Sequence, residues 1–281
     1  MSPLSVRAVV AGMSLAMALI VGGDAAGKLL TSAGVAPALV AWARFSIAAV
    51  LLAPLGLRDW RRLAEWQLWL RAALIAGGIA CILTALRSAP MADVFAAFFV
   101  GPIIAYGLSV LVLKERVSAL RSLLLLLSFA GVLVATRPGF GMAPGIGWAF
   151  LAGCLHGGYL VATRWLAGRY RAGFLLWSQL VIGTIILAPL ALAADVPALS
   201  LPMGALFIAS ALGSAAGNLI LVQLNRRTEA SVLAPLIYTQ LPAAALFGWA
   251  IFGDLPDAAT WIGAAIIVLG GVASVRVARR R

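Results

Sequence analysis

Charge is what this chain has least of. Charged residues make up 11% of it, less than half of the ~25% that a soluble domain uses to wet its surface. Apolar residues make up 63% and the mean hydropathy is +1.06, which excludes an ordinary water-soluble domain. Histidine occurs once and cysteine twice. Cys81, Cys154 and His156 are too few for a zinc site of the usual four-ligand kind. Both cysteines sit inside apolar segments, where they read as small core residues rather than a disulfide. No nucleophile–base pair and no phosphate-binding loop is found, so the sequence offers neither the constellation of an enzyme nor a site for a metal or cofactor.

What is abundant is apolar sequence in long runs. A span needs ~20 mostly apolar residues to cross a ~30 Å hydrocarbon core. Polar, proline and glycine punctuation predicts spans near 7–27, 37–57, 68–88, 92–113, 119–136, 146–166, 172–192, 203–224, 230–252 and 258–276. The runs are apolar throughout, where barrel strands would alternate. The expected fold is therefore all-α and integral to the membrane, with ten transmembrane helices. The apolar run after Arg7 is too long for a cleaved leader and reads as a retained first helix.

The basic residues separate by loop. Seventeen of the twenty-one lie on one side of the predicted spans: Arg7, the group Arg58 to Arg71, the group Lys114 to Arg121, Arg164 to Arg171, Arg226 with Arg227, and Arg276 to Arg281. Only Lys28, Arg87 and Arg137 fall on the other, and Arg44 stays inside a span. Short loops rich in lysine and arginine stay cytoplasmic, so both termini are expected in the cytoplasm of a multi-pass inner-membrane protein. The net charge of +12 then reflects topology and contact with lipid headgroups, and no nucleic-acid partner is expected. Trp60, Trp66 and Trp69 among the arginines after span two suggest a short interfacial helix or an ordinary loop.

The chain also repeats itself at roughly half its length. Trp42-Ala43-Arg44 matches Trp177-Ser178-Gln179, Lys28 matches Arg164, and Ala92-Asp93-Val94 matches Ala230-Ser231-Val232. Pro102 matches Pro242, Lys114-Glu115-Arg116 matches Gly253-Asp254-Leu255, and Gly131-Val132 matches Gly271-Val272. Residues 1–139 and 140–281 thus read as two five-helix repeats. Five is odd, so the repeats are inverted in the bilayer, the arrangement that lets a cavity open to either side in secondary transporters.

At these residues the chain resembles the ten-helix EamA branch of the drug/metabolite transporter superfamily. The likeness rests on the spacings Pro102 to Glu115 and Pro242 to Asp254, on Ala-Pro-Leu-Ile-Tyr-Thr-Gln at 234–240 and on Phe-Gly-Asp-Leu-Pro at 252–256. Asp24-Ala-Ala-Gly-Lys28 with Trp42-Ala-Arg44-Phe resembles the subgroup of riboflavin and S-adenosylmethionine transporters. The resemblance implies a small-molecule substrate and a cavity ringed by spans one, three, four, six, eight and nine. It also implies gating by spans two and seven, with five and ten bracing the halves or a homodimer.

Each polar group in the bilayer needs a reason, because a charge there costs at least ~2.5 kcal/mol. Asp24 and Arg44 lie at similar depth, with Asp93, Lys28 and Arg87 near the same face. They read either as an outer gate with surplus positive charge for a carboxylate or phosphate, or as a structural ion-pair group. His156 reads as a proton carrier or as a hydrogen bond to a neighbouring helix. Gln179, Asn218, Tyr238 and Gln240 add uncharged polar groups, the last two flanking a break near Pro242. Phe98, Phe99, Tyr106, Tyr159 and Trp177 could line a cavity for a flat ligand, or pack in the core. Gly23/Gly27, Gly153/Gly157 and Gly213/Gly217 have the spacing of close helix contacts. With Asp24 and Asp93 the only acids near such a cavity, a coupling ion has few ligands, and import, export and exchange all stay open. Transport of a small organic metabolite is the leading expectation. A lipid flippase or scramblase on the same fold, or an integral-membrane enzyme, is the alternative.

Overall fold

The computed structural model describes residues 5–89, 91–136, 145–196, 198, 200–253 and 258–278. Among the described residues no strand occurs. The helices are α1 (Val6–Ser32), α2 (Pro37–Leu51), α3 (Trp66–Ser88), α4 (Met91–Phe98), α5 (Val100–Leu111), α6 (Ala119–Thr136), α7 (Ile146–Leu166), α8 (Ala172–Leu192), α9 (Leu201–Arg227), α10 (Ala230–Ile237), α11 (Gln240–Phe247) and α12 (Ala258–Ala278). Six stretches are long and apolar enough to cross a membrane: Val6–Ser32, Trp66–Ser88, Ile146–Leu166, Ala172–Leu192, Leu201–Arg227 and Ala230–Phe252. Shorter apolar helices accompany them at Pro37–Leu51, Val100–Leu111, Ala119–Val134 and Trp261–Val277.

Local chemistry sets the ends and the breaks. Ser5 accepts the Ala8 amide at 3.1 Å and Ser200 accepts the Met203 amide at 3.4 Å, capping α1 and α9. Gly253 ends the π-helical turn Gly248–Phe252 at φ +76°, a conformation that suits glycine. Pro242 has no N–H for the Tyr238 carbonyl four residues back. The Leu241 amide takes that carbonyl instead, at 3.0 Å, and the helix breaks between α10 and α11. In the matching place Pro102 releases the Phe98 carbonyl, and the break falls at Phe99 between α4 and α5.

Lipid is as apolar as leucine, so helices associate in it through close packing rather than through the hydrophobic effect. The glycines singled out by spacing are where this happens. A Cβ on Gly153 would stand 2.3 Å from the released Phe98 carbonyl, and one on Gly157 would stand 2.6 Å from the Gly101 carbonyl. Gly213 and Gly217 bring α9 against α1, where a Cβ would meet the Leu19 and Ala16 carbonyls at 2.9 and 2.6 Å. Ser210 Oγ then donates to the Gly23 carbonyl across the same seam at 2.8 Å. Outward-facing Leu123, Leu126, Trp148, Leu192 and Leu269 leave an apolar belt, a liability in water and a match for lipid.

The main packing pairs are α1 with α9, α3 with α7, α2 with α8 and α6 with α12. Exchanging α1–α6 with α7–α12 in order turns α1·α9 into α7·α3, α5·α7 into α11·α1 and α2·α9 into α8·α3, all of which pack. The same exchange leaves α2·α8 and α6·α12 unchanged.

The segment after α2 forms a 3₁₀ helix at Leu57–Ala64 with no buried residue. It carries Trp60, exposed, and Arg62, stacked 4.4 Å over the Tyr170 ring. Arg71, grouped by sequence with these loop charges, sits inside α3 and is fully buried. Its basic neighbours remain at the helix ends.

Candidate functional site

A cavity lies where α1, α2, α3, α4, α7, α9 and α11 meet. Met17 and Ile20 of α1, Ile75, Ile79 and Ile82 of α3, and Phe95 and Phe98 of α4 form its apolar wall. Asp24, Arg44, His156, Ser214, Asn218 and Gln240 form its polar wall. A smaller hollow shares Arg44, Ile79, Ser214 and Asn218 and adds Gln179. Arg44 and Gln179, matched positions in the sequence repeat, therefore meet at one place.

Arg44 Nη1 donates to Asp24 Oδ1 at 2.8 Å, with the two residues 2% and 4% exposed. Two charges this deep offset each other's desolvation only in part. Among the described residues, Nε and Nη2 of Arg44 have no hydrogen-bond partner. Gln179 Oε1 has none either. His156 packs its ring 5.3 Å from Phe98 and 5.7 Å from Tyr159, and makes no hydrogen bond to a described residue. The interhelical hydrogen bond expected as one role for it is not formed.

Arg71 is the buried charge that the sequence reading missed. Nε donates to Thr163 Oγ1 at 2.8 Å, Nη1 to the Leu175 carbonyl at 2.7 Å and Nη2 to Tyr159 Oη at 3.1 Å. Its guanidinium also lies 4.8 Å over the Tyr159 ring. Tyr159 Oη donates to Asn218 Oδ1 at 3.4 Å, and Asn218 Nδ2 donates to the Ser214 carbonyl at 2.9 Å. A hydrogen-bonded chain thus runs from Arg71 to the cavity wall. The available signal was position: Arg71 already falls inside the predicted third span, and a charge within a span asks for partners.

The other expected residues separate. Asp24, Arg44, His156, Asn218 and Gln240 line the cavity, and Gln179 lines its annex. Tyr159 reaches the cavity only through Asn218. Tyr106 hydrogen-bonds Ser122 at 2.8 Å between α5 and α6. Tyr238 is buried edge-on against Phe99 at 5.4 Å, and its hydroxyl has no partner among the described residues. Neither tyrosine lines the cavity. Asp93 stands on α4, and its side chain lies outside those described. Arg87 is exposed, and Lys28 lies 5.3 Å over the Phe252 ring. Phe98 lines the cavity as expected, joined by Phe95; Phe99 and Trp177 pack in the core.

An all-helical bundle with apolar spans, lipid-facing leucines and a polar-edged central cavity defines a multi-pass membrane carrier. The EamA-like transporter family matches the chain over residues 6–137 and again over 143–276, and the chain belongs to that family. As a member of it, the chain is a membrane transporter and not an enzyme. It is 30% identical to a riboflavin transporter of Rhizobium johnstonii over 81% of this chain and 76% of that protein. It is 29% identical to a riboflavin transporter of Brucella anthropi, over 85% and 87%. The pseudopaline exporter CntI of Pseudomonas aeruginosa is 25% identical over 75% of each. One crystal structure shares the fold, with a TM-score of 0.76 at 20% identity over 96% of this chain and 98% of that one.

Proposed function

We propose that the chain is a secondary transporter that carries a small organic metabolite across the bacterial plasma membrane by alternating access at the central cavity. The observation that carries this reading is the cavity's composition: its walls come from α1 to α4 and also from α7, α9 and α11. A site held between two halves can be exposed to one side and then the other as the halves rock.

The finer organisation belongs to the same proposal. Residues 1–139 and 140–281 act as two inverted five-span repeats. The doubled family match and the packing pairs that survive exchange of the halves support this. Ten spans put both termini on one side, and the arginine-rich loops make that side the cytoplasm. Helices α2 and α8 pack together and serve as gates. The α6·α12 pair braces the halves and offers the face for a homodimer. The relatives' names bring riboflavin and pseudopaline to this chain as the first solutes to try.

The test is counterflow of labelled riboflavin, then of a wider metabolite panel, in proteoliposomes. Wild type should move at least one solute, and Asp24→Asn should slow it at least about tenfold if the buried pair is on the path. Equal rates in the two proteins would remove the pair from the path. Inserted protein that moves no solute would overturn the transport reading.

A further inference from the structure

We propose that the cavity's ligand is an organic monocarboxylate, an apolar or flat body whose carboxylate docks on the unoccupied edge of Arg44. The inference rests on the transport reading only in taking the central cavity as the substrate site.

Three observations carry it. The first is geometric. A guanidinium presents five N–H donors in a fixed plane. Asp24 takes Nη1 alone, while Nε and Nη2 have no partner in a side chain 2% exposed. Those two nitrogens share one edge of the plane. Their N–H bonds there run parallel, the fork that a carboxylate fits with both oxygens. A charged donor left unsatisfied in a buried site is costly, and Arg44 lines both the cavity and its annex, where a ligand could satisfy it.

The second is charge. The described cavity wall and the hydrogen-bonded chain behind it contain two cations, Arg44 and Arg71, and one carboxylate, Asp24. A monoanion balances that surplus, whereas a neutral carbonyl would satisfy an N–H and leave the charge unbalanced. A dianion is disfavoured, since Asp24 already sits 2.8 Å from Nη1 and like charges repel strongly where little water screens them.

The third is the remaining wall. Phe95, Phe98, Ile75 and Ile79 add apolar surface to the cavity that Arg44 lines. His156 lines the same cavity and can offer a ring nitrogen to a polar group of the ligand.

The test is thermal melting of the detergent-purified full chain with benzoate, 2-naphthoate and indole-3-acetate, against the primary amides of the same acids and riboflavin. A ligand that binds the folded state raises its melting temperature by mass action. The acids should stabilise and the amides should not. Arg44→Lys keeps a cation opposite Asp24 but loses the fork, and it should weaken the acids about tenfold or more. No stabilisation by any acid at millimolar concentration overturns the inference. So do amides or riboflavin binding as well as the acids, or Arg44→Lys binding acids like wild type. Counterflow separates the two readings. Movement of riboflavin that the acids do not compete with overturns the carboxylate and leaves transport standing. Acids that bind a protein that moves no solute at all leave the carboxylate and overturn transport.

Discussion

Around Arg71 each guanidinium nitrogen meets an oxygen, from Thr163, Leu175 and Tyr159. Around Arg44 only Nη1 does among the described residues, and the side chain lines a cavity. Both side chains are fully or almost fully buried, so the contrast is one of partners and not of depth. Arg71 ties α3 to α7 and α8 through bonds complete without any ligand. Arg44 ties α2 to α1 through one bond and holds the rest of its capacity open. If the proposed carboxylate site is right, stability and function fall to different arginines, and substitutions can separate the two.

The largest effect on folding should follow Arg71→Met. It removes three charge-assisted hydrogen bonds, although the Leu175 carbonyl keeps the Ser178 hydroxyl at 3.0 Å and Tyr159 Oη keeps Asn218 at 3.4 Å, and hydrogen bonds to a charged group contribute ~1.5–3 kcal/mol each. Rotation of the Thr163 hydroxyl recovers part, leaving a loss of about 3 kcal/mol and a melting temperature lower by roughly 5–10 °C. Arg71→Lys should recover little, because a point charge cannot reach three partners from one plane. An Arg71→Met protein that melts like wild type would erase the distinction between the two arginines.

Asp24→Asn comes next. The amide oxygen still accepts from Arg44 Nη1, but the counter-charge is gone. Breaking a buried pair outright costs ~3–5 kcal/mol, and the retained bond should hold the loss near ~2 kcal/mol. Transport should fall more steeply than stability does. A variant that loses stability without losing transport would move Arg44 into the structural class with Arg71.

Arg164 is an intermediate case that tests whether burial sets the scale. Its side chain is 29% exposed. Nη1 donates to the Asn225 and Arg226 carbonyls at 3.1 and 3.3 Å, at the end of α9 where a cation meets the negative pole of the helix. Glu115 lies 3.8 Å from its Nε and accepts the Ala230 and Ser231 amides, at 3.1 and 3.0 Å, at the start of α10. Arg164→Ala should cost about 1 kcal/mol, discounted for solvent screening. A cost as large as that of Arg71→Met would mean that this end is a lock between the halves.

Much of this was legible in the sequence, for physical reasons. Span positions follow from runs of apolar residues, and the helix breaks follow from Pro102 and Pro242, which remove a specific amide. The Asp24–Arg44 pair was readable because a charge in a span demands a partner. Arg71 was not, because its neighbours Arg58, Arg61 and Arg62 are loop charges and its partners are a hydroxyl, a carbonyl and a phenol from α7 and α8, distant in sequence. Tyr106 and Tyr238 misled for the converse reason. An aromatic ring in a span, or a polar tip beside a helix break, looks like a site, but which way it faces depends on packing, and Tyr106 meets Ser122 while Tyr238 meets an aromatic cluster.

The smallest effect belongs to the exposed end of the series. Glu65 follows the 3₁₀ segment, beside Arg62 at 3.1 Å and Arg169 at 3.5 Å, and accepts from Tyr170 Oη. The Tyr170 hydrogen bond, with Arg62 and Arg169 adding to it, holds the Glu65 carboxyl below its usual range. A folded-state pKa below the unfolded one adds stability above the unfolded value, ~4.3 for glutamate, and that stability is lost as pH falls through the folded value. Glu65→Gln should therefore melt slightly below wild type at pH 7, and the gap should close as the pH is taken below about 4. Surface pairs of this kind contribute little, so the gap at pH 7 should be well under that of Arg164→Ala. A gap independent of pH would assign the effect to the Tyr170 contact rather than to charge. It would also leave burial, and not ionisation, as the quantity that ranks the arginine-linked sites.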